Sequence, residues 1–546
     1  MKKLSLVFIL ISLSITALQA QKLPVIQPTR FKKDSISIVR YGAKADGVTL
    51  NTKSINAAIA ACNKKGGGVV VVPAGFWLTG PIVLQSNVNL YLQRGALLQF
   101  TSDLNQYALV ETNWEGLPAA RNQSPISATN ATNIAITGAG IIDGNGDAWR
   151  MVKKDKLSES QWKKLVNSGG VLSDDKKTWY PTESSLRGSK VSKAGVLTDG
   201  KTMEDYKEIK DFLRPNLLVF TKCNKVLLEG ATFQNSPAWC LHPLMSTNIT
   251  VRGISVKNPW YAQNGDGIDV ESCRYVLIEN SVFDVGDDGL CMKSGRDEEG
   301  RKRAMPTQDV IIRNCTVYNS HGGFVIGSEM SGGAKNIHVS NCTFVGSDIG
   351  LRFKTTRGRG GVVENIYINN IVMKNIPGEA ILFDMYYAAQ DPIALAGEKR
   401  TAPQVEFKAV SEATPQFKNI YIKNVVCDGA DKAVFIRGLP EMNIHSIYLE
   451  NISINSKKGI DISEANNIYF NNVQLEATAK DLPLIDIVNS HRIIFTRVTG
   501  RSLPATILRM GGDRTSNISW IKSLPLQPSQ YITEFGAAEN SLQIKQ

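Results

Sequence analysis

The chain has 546 residues, 42% hydrophobic and 21% charged, the profile of a globular protein with a sizeable core rather than a disordered or fibrous one. Eight cysteines in that length, with no CxxC, argue against a disulfide scaffold and against a zinc site. A net charge of +12 leaves nucleic acid, anionic lipid and acidic polysaccharide open as partners.

The chain starts with Lys2 and Lys3, an apolar run from Leu4 to Ile15, and a small-x-small ending at Ala20. That is the pattern of a secretory signal peptide over 1–20. The run falls short of the ~20 residues that a membrane span needs, so a signal anchor is the weaker reading. No Cys stands at the cleavage site, which argues against a lipoprotein, and no later segment is apolar enough to span. The mature chain is expected to begin at Gln21 and to work in the periplasm or outside the cell.

"NTKSINAAIAACNKK" (51–65) reads as an amphipathic helix, with Asn51 or Thr52 as N-cap and Gly66–Gly68 as its stop. From residue 129 one phrase recurs: Asn, apolar, x, apolar, x, then Asn or Gly. It appears as "NIAITG" (133–138), "KVLLEG" (225–230), "NITVRG" (248–253), "YVLIEN" (275–280) and "DVIIRN" (309–314). It continues as "NIHVSN" (336–341), "NIYINN" (365–370), "NIYIKN" (419–424), "SIYLEN" (446–451) and "NIYFNN" (467–472). From Val226 to Ile468 the first apolar positions are spaced by 23, 27, 34, 27, 29, 54, 27 and 21 residues. The 54 reads as two periods of 27, one copy being degenerate or carrying an insertion.

Alternation within the phrase is strand periodicity, and its return at a nearly constant interval marks a repeat. Strand and turn repeated in this way predict an all-β parallel β-solenoid, each coil ~4.8 Å above the last. Asn and Gly at the end of the phrase fit left-handed turn positions, and stacked Asn side chains can bond along the axis. A β-sandwich of hairpins is the competing fold, and it would show two-residue Asn-Gly or Asp-Gly loops between strands. The helix at 51–65 would cap the N-terminal coil. The polar segment 150–213, with a short helix at "SESQWKKLV" (158–166), reads as an insertion over one face. The tail 520–546 lacks the phrase and should close the other end.

"QNGDGIDV" (263–270) and "VGDDGLCMKSG" (285–295) place Asp266, Asp287 and Asp288 among glycines and small apolar residues. Asp266 and Asp287 are 21 residues apart, one short coil, so the three carboxyls should meet on one face. Crowded carboxylates raise at least one pKa, which suits the split between acid and base in glycoside hydrolysis. The same acids could supply oxygen ligands to Ca²⁺, or could be plain turn aspartates. "NSHGGFVIGS" (319–328) adds His321 one coil on, and "LRFKTTRGRGG" (351–361) adds Arg352 and Lys354, which share a strand face. With Arg357 and Arg359 they form a cationic patch suited to an anionic substrate. "GRDEEGRKRAMP" (295–306) is an added loop.

At this point the chain resembles the polygalacturonase-type glycoside hydrolases, family 28. The family shows Asn-Thr-Asp, Asp-Asp, Gly-His-Gly and Arg-Ile-Lys in that order. Here stand "NGD" (264–266), "DD" (287–288), "SHG" (320–322) and "RFK" (352–354), and the opening "RYGAKADGVTLNTKSINAAIAAC" is also similar. The resemblance covers nearly all of the chain after the signal peptide. It implies a right-handed parallel β-helix forming one catalytic domain over 21–546, an inverting hydrolase without cofactor or metal. Asp287 would be the general acid. Asp266 and Asp288 would hold the attacking water, and His321 would assist the acid. Arg352 and Lys354 would bind the galacturonate carboxylate. A family tyrosine after "RFK" falls at Tyr386 or Tyr387, with Tyr386 favoured. Gly265, Ser320 and Phe353 depart from the family's residues without removing a charge.

The implied partner is an acidic plant polysaccharide, pectin or its oligogalacturonides, cleaved by a monomer. Nucleic acid is disfavoured because the acids beside the cations would repel phosphate. The insertion and the added loop could block one end of the cleft and make the enzyme exo-acting. The competing readings are a rhamnogalacturonan or decorated-galacturonan hydrolase, a Ca²⁺-dependent pectate lyase, and a non-catalytic β-helical binding protein. An inverting enzyme is expected to hold its acid and base carboxyls ~6.5–9.5 Å apart.

Overall fold

Strand after strand pairs in parallel with the strand one turn of chain away, building the long sheets of a right-handed parallel β-helix. This computed structural model describes residues 23–198, 200–389, 402, 405–501 and 503–545. The proposed leader, 1–20, lies outside the described residues.

The first apolar residue of each phrase sets the register. Val226 pairs with Ile249, Ile249 with Val276, Val276 with Val310, and Val310 with Ile337. Ile337 pairs with Ile366, Ile420 with Ile447, and Ile447 with Ile468. Ile366 pairs directly with Ile420, so the 54-residue step is one enlarged coil and not two coils with a degraded copy. The alternation turns these residues into one continuous core, with Val276, Ile337 and Ile420 fully buried.

The residue closing each phrase takes the left-handed conformation, from φ 77° at Gly230 to 56° at Asn472. Asn accepts this region more readily than most side chains, and its amide then points along the axis. Asn314 donates to Asn280 at 3.1 Å, Asn370 to Asn341 at 3.1 Å, Asn451 to Asn424 at 2.9 Å and Asn472 to Asn451 at 2.8 Å. On the outer surface Tyr367, Tyr421, Tyr448 and Tyr469 stack nearly parallel, their centroids 4.8–5.2 Å apart.

Helix Thr52–Lys64 buries Ile55, Ala58, Ile59 and Cys62 against the first coils, as its pattern predicts. Asn51 does not cap it by side chain. Its amide instead donates to Leu78 O and accepts from Lys44 N, which pins the entry loop. All eight cysteines are buried and unbridged.

Segment 150–213 leaves the coils. It carries helix Glu159–Asn167 with a capping box from Ser158 and Gln161, a small antiparallel sheet, helix Glu183–Ser189 and the 3-10 helix Met203–Phe212. A hairpin, Leu109–Trp114 with Leu117–Asn122, is a second addition to the coils. The tail does more than follow the repeat. Tyr531–Glu534 and Leu542–Lys545 pair in parallel with the preceding strands, so it forms the last partial coil itself.

Candidate active site

The site lies on one sheet, at strands Ile268–Glu271, Asp288–Lys293, Gly322–Ile326 and Leu351–Lys354, which pair in succession. Glycines let the turns before these strands approach closely. A Cβ on Gly267 would lie 2.5 Å from Gly289 O, and one on Gly265 would lie 2.7 Å from Ala262 O. The turn presenting Asp266 therefore has no room for a side chain at 265.

Asp266, Asp287 and Asp288 each bring a carboxyl oxygen within 4.8 Å of the others. This is closer than the ~6.5–9.5 Å expected of an inverting pair. A gap of this size still admits one water hydrogen-bonded to two carboxyls, because each such bond spans ~2.5–3.0 Å. Asp266 and Asp288 are buried, whereas the Asp287 side chain is 21% exposed.

The three environments differ. Burial, then the charges of Asp269 and Asp287, push the Asp266 carboxyl well above the ordinary carboxylate range, and its Oδ1 has no hydrogen-bond partner among the described residues. Burial also acts on Asp288, but Lys354, Arg352 and Lys293 outweigh it and hold that carboxyl well below the range. Lys354 Nζ donates to Asp288 Oδ2 at 2.7 Å, and Arg352 donates to Oδ1 at 3.3 Å and to His321 O at 3.2 Å. Asp287 accepts from the backbone N–H of Asn264 at 3.2 Å and of Asp288 at 3.0 Å. Its Oδ1 lies 3.2 Å from His321 Nδ1, and this hydrogen bond raises the His321 pKa against the opposing effect of burial.

The cluster is therefore not poor in counter-charge, although its neighbours in sequence are glycines and small apolar residues. The cations arrive from coils far along the chain. Buried Lys293 adds another, 2.9 Å from Glu329 and 3.6 Å from buried Asp269. Asp269 and Lys293 were overlooked in the sequence, although both stand inside the two quoted stretches. Asp269 pairs with Cys291 and Lys293 with Glu271 on the strands that follow the acids, and their place in these stretches was the available signal.

Two other expectations change. Tyr387, not Tyr386, lies beside the cations, its ring centroid 5.0 Å from Lys354 Nζ and 5.8 Å from the Arg352 guanidinium carbon. Neighbouring side chains diverge where the chain turns after Asp384. Tyr386 N donates to Asp384 Oδ1 and its ring packs on the core, while Tyr387 N donates to Thr355 O. Arg357 and Arg359 do not join the patch, because Glu441 holds Arg357 at 2.7 Å and Asp297 holds Arg359.

A partly exposed acid beside a protonatable imidazole, a buried acid whose pKa is pushed up and a buried carboxyl held low are groups that can move protons to and from a water. Residues 196–433 match the model of glycosyl hydrolases family 28, and residues 35–161 match that of rhamnogalacturonase A/epimerase, pectate lyase-like. A probable polygalacturonase of Vitis vinifera is 28% identical, over 82% of this chain and 81% of its own. An exo-poly-α-D-galacturonosidase of Dickeya chrysanthemi is 27% identical, over 80% of this chain and 70% of its own. The crystal structure of a hyperthermoactive exopolygalacturonase from Thermotoga maritima superposes with a TM-score of 0.63 at 30% identity, covering 82% of this chain and 92% of that one. At this identity and coverage the chain belongs to glycosyl hydrolase family 28.

Proposed function

We propose that this enzyme hydrolyses α-linked galacturonic acid in pectin, with inversion. The observation that carries the reading is the division of labour among the three carboxyls, of which Asp287 alone is open to a leaving group. Asp287, once His321 has passed it a proton, gives that proton to the glycosidic oxygen as the bond to the anomeric carbon breaks. A water held between Asp266 and Asp288 attacks that carbon from the other face. The Asp288 carboxylate takes the water's proton and later releases it to solvent. Asp266, neutral through burial, orients the water without adding a second negative charge. His321, 45% exposed, returns a proton from solvent to Asp287.

Arg352 and Lys354 hold Asp288 in its ionised form and also offer donors to the uronate carboxylate of the substrate, beside Tyr387. Arg352 Nε has no hydrogen-bond partner among the described residues. The names of the relatives support the same substrate, because they act on polygalacturonate. Residues 21–546 are then one catalytic unit that meets its substrate outside the cytoplasm, and no described helix is long and apolar enough to cross a membrane.

The test is a product assay on polygalacturonate with wild type and Asp287→Asn, each with and without chelator. Saturated galacturonic acid or its oligomers from wild type alone, indifferent to chelator, is the expected result. Products absorbing in the ultraviolet would mean a lyase, and no product from either would overturn the galacturonan reading.

A further inference from the structure

We propose that Asp348 is a positioning residue of the proton cycle: from the far side of the His321 ring it holds the imidazole with Nδ1 towards the acid Asp287. This rests on the reaction proposed above and adds a residue that acts through His321.

Three successive coils carry the same turn ahead of strands Asp288–Lys293, Gly322–Ile326 and Leu351–Lys354. Asp287, His321 and Asp348 occupy it in order, separated by 34 and 27 residues, the steps that also separate Val276, Val310 and Ile337. The repeat thus stacks a carboxyl, an imidazole and a second carboxyl along the axis. Asp287 Oδ1 lies 3.2 Å from Nδ1 and Asp348 Oδ2 lies 3.8 Å from Nε2, so each ring nitrogen faces an acid of its own.

The backbone of Asp348 is fixed from both sides. Its N–H donates to Ser320 O at 2.7 Å, and its carbonyl accepts from Gly378 N at 2.8 Å. Buried Ser320 donates by Oγ to buried Ser347 Oγ at 2.8 Å, which ties the two turns together. His321 N in turn donates to Asp287 O at 3.0 Å. The Asp348 side chain is 57% exposed and has no other ion pair among the described residues. An exposed carboxylate at the edge of a site for an anionic chain is unfavourable unless a cation offsets it, and the imidazolium does so.

The charged groups around the ring are Asp287 and Asp288 on the preceding coil, Asp348 on the next, and Arg352, which donates to His321 O. The hydrogen bond to Asp287, then the charges of Asp287, Asp288 and Asp348, favour imidazolium against the opposing effect of burial. When Asp287 has given up its proton, the Nδ1–H bond of the imidazolium breaks and an O–H bond forms on Asp287. The neutral ring keeps its other proton on Nε2, facing Asp348, and solvent returns one to Nδ1. Among the described residues, nothing but Asp348 is paired with Nε2 to resist rotation of the ring.

The experiment measures kcat and KM against pH on a galacturonate oligomer for wild type, Asp348→Ala, Asp348→Asn, His321→Gln and the double variant of Asp348→Ala with His321→Gln. Thermal melting checks that each is folded. Asp348→Ala should lower kcat about two- to fivefold at neutral pH, the range for one exposed pair, with KM unchanged. Its alkaline limb should move to lower pH, because an imidazolium that loses a carboxylate gives up its proton sooner. Asp348→Asn keeps an acceptor without the charge, so it should regain most of the kcat and keep the shifted limb. In the His321→Gln background Asp348→Ala should cause no further loss. Wild-type kcat and limb in folded Asp348→Ala, an equal loss in both backgrounds, or a loss confined to KM would overturn the positioning role alone. If Asp348→Ala does not fold, the limb of Asp348→Asn decides. A wild type that cleaves no galacturonate oligomer would overturn the reaction proposed above together with it.

Discussion

Lys354 Nζ stands 2.7 Å from Asp288 Oδ2, an ion pair between side chains that are 7% and 2% exposed. The sequence separates the two by 66 residues, and two turns of the β-helix bring them together. The pair holds one carboxyl of the cluster well below the ordinary carboxylate range while burial pushes its neighbour Asp266 well above it.

Lys354→Met should cost stability at pH 7, on the order of 3 kcal/mol, as removal of one partner of a buried pair does. Asp288 has a depressed folded-state pKa, so its contribution is present above the unfolded carboxylate value of ~3.9 and is lost as pH falls through the lower folded value. The difference between variant and wild type should therefore shrink on the acid side of ~3.9. Urea unfolding at both pH values measures it.

Asp266→Asn should abolish turnover and yet raise Tm at neutral pH. A raised folded-state pKa gives a contribution present below the unfolded value and lost as pH rises through the folded one. Asn has no charge to bury. Melting curves near pH 4 and pH 8 should converge at the first and separate at the second.

His321→Gln should lower kcat/KM and remove an alkaline limb from its pH profile. The imidazolium gains a partner in Asp287, so its protonated form persists above the ordinary value of ~6.5 and is lost as pH rises through the raised one. A variant that kept the wild-type limb would assign that limb to another group.

Asn451→Ala should cost ~2–3 kcal/mol, because it removes two ladder bonds and puts a Cβ without amide at φ 56°. Asn451→Gly relieves the backbone and should cost ~1 kcal/mol, the bonds alone. Equal losses in denaturant would show that the left-handed turn carries no cost.

The coil register was legible because each phrase carries its own alternation and turn residue, and pairings from Val226 through Ile468 follow it. The enlarged coil misled because spacing alone does not separate two coils from one with a long loop; only the Ile366–Ile420 pairing does. The three acids were legible through their one-coil separation. Arg352 and Lys354 were legible as cations beside the acids, but their ion pairs with Asp288 were not, since spacing does not show which side chains meet. Tyr386 and Tyr387 are adjacent in an irregular turn, where alternation no longer tells which ring faces the cations. The hairpin 109–122 has no repeat text, so the spacing of the phrases does not announce it.

The most direct test of the account is the anomeric configuration of the first product, read by proton NMR as the wild type cleaves an α-linked galacturonate oligomer. Direct attack by a water held at Asp266 and Asp288 predicts that the β-anomer forms first and then mutarotates. An α-anomer at the earliest time points would mean a covalent intermediate and would contradict the roles given to all three carboxyls.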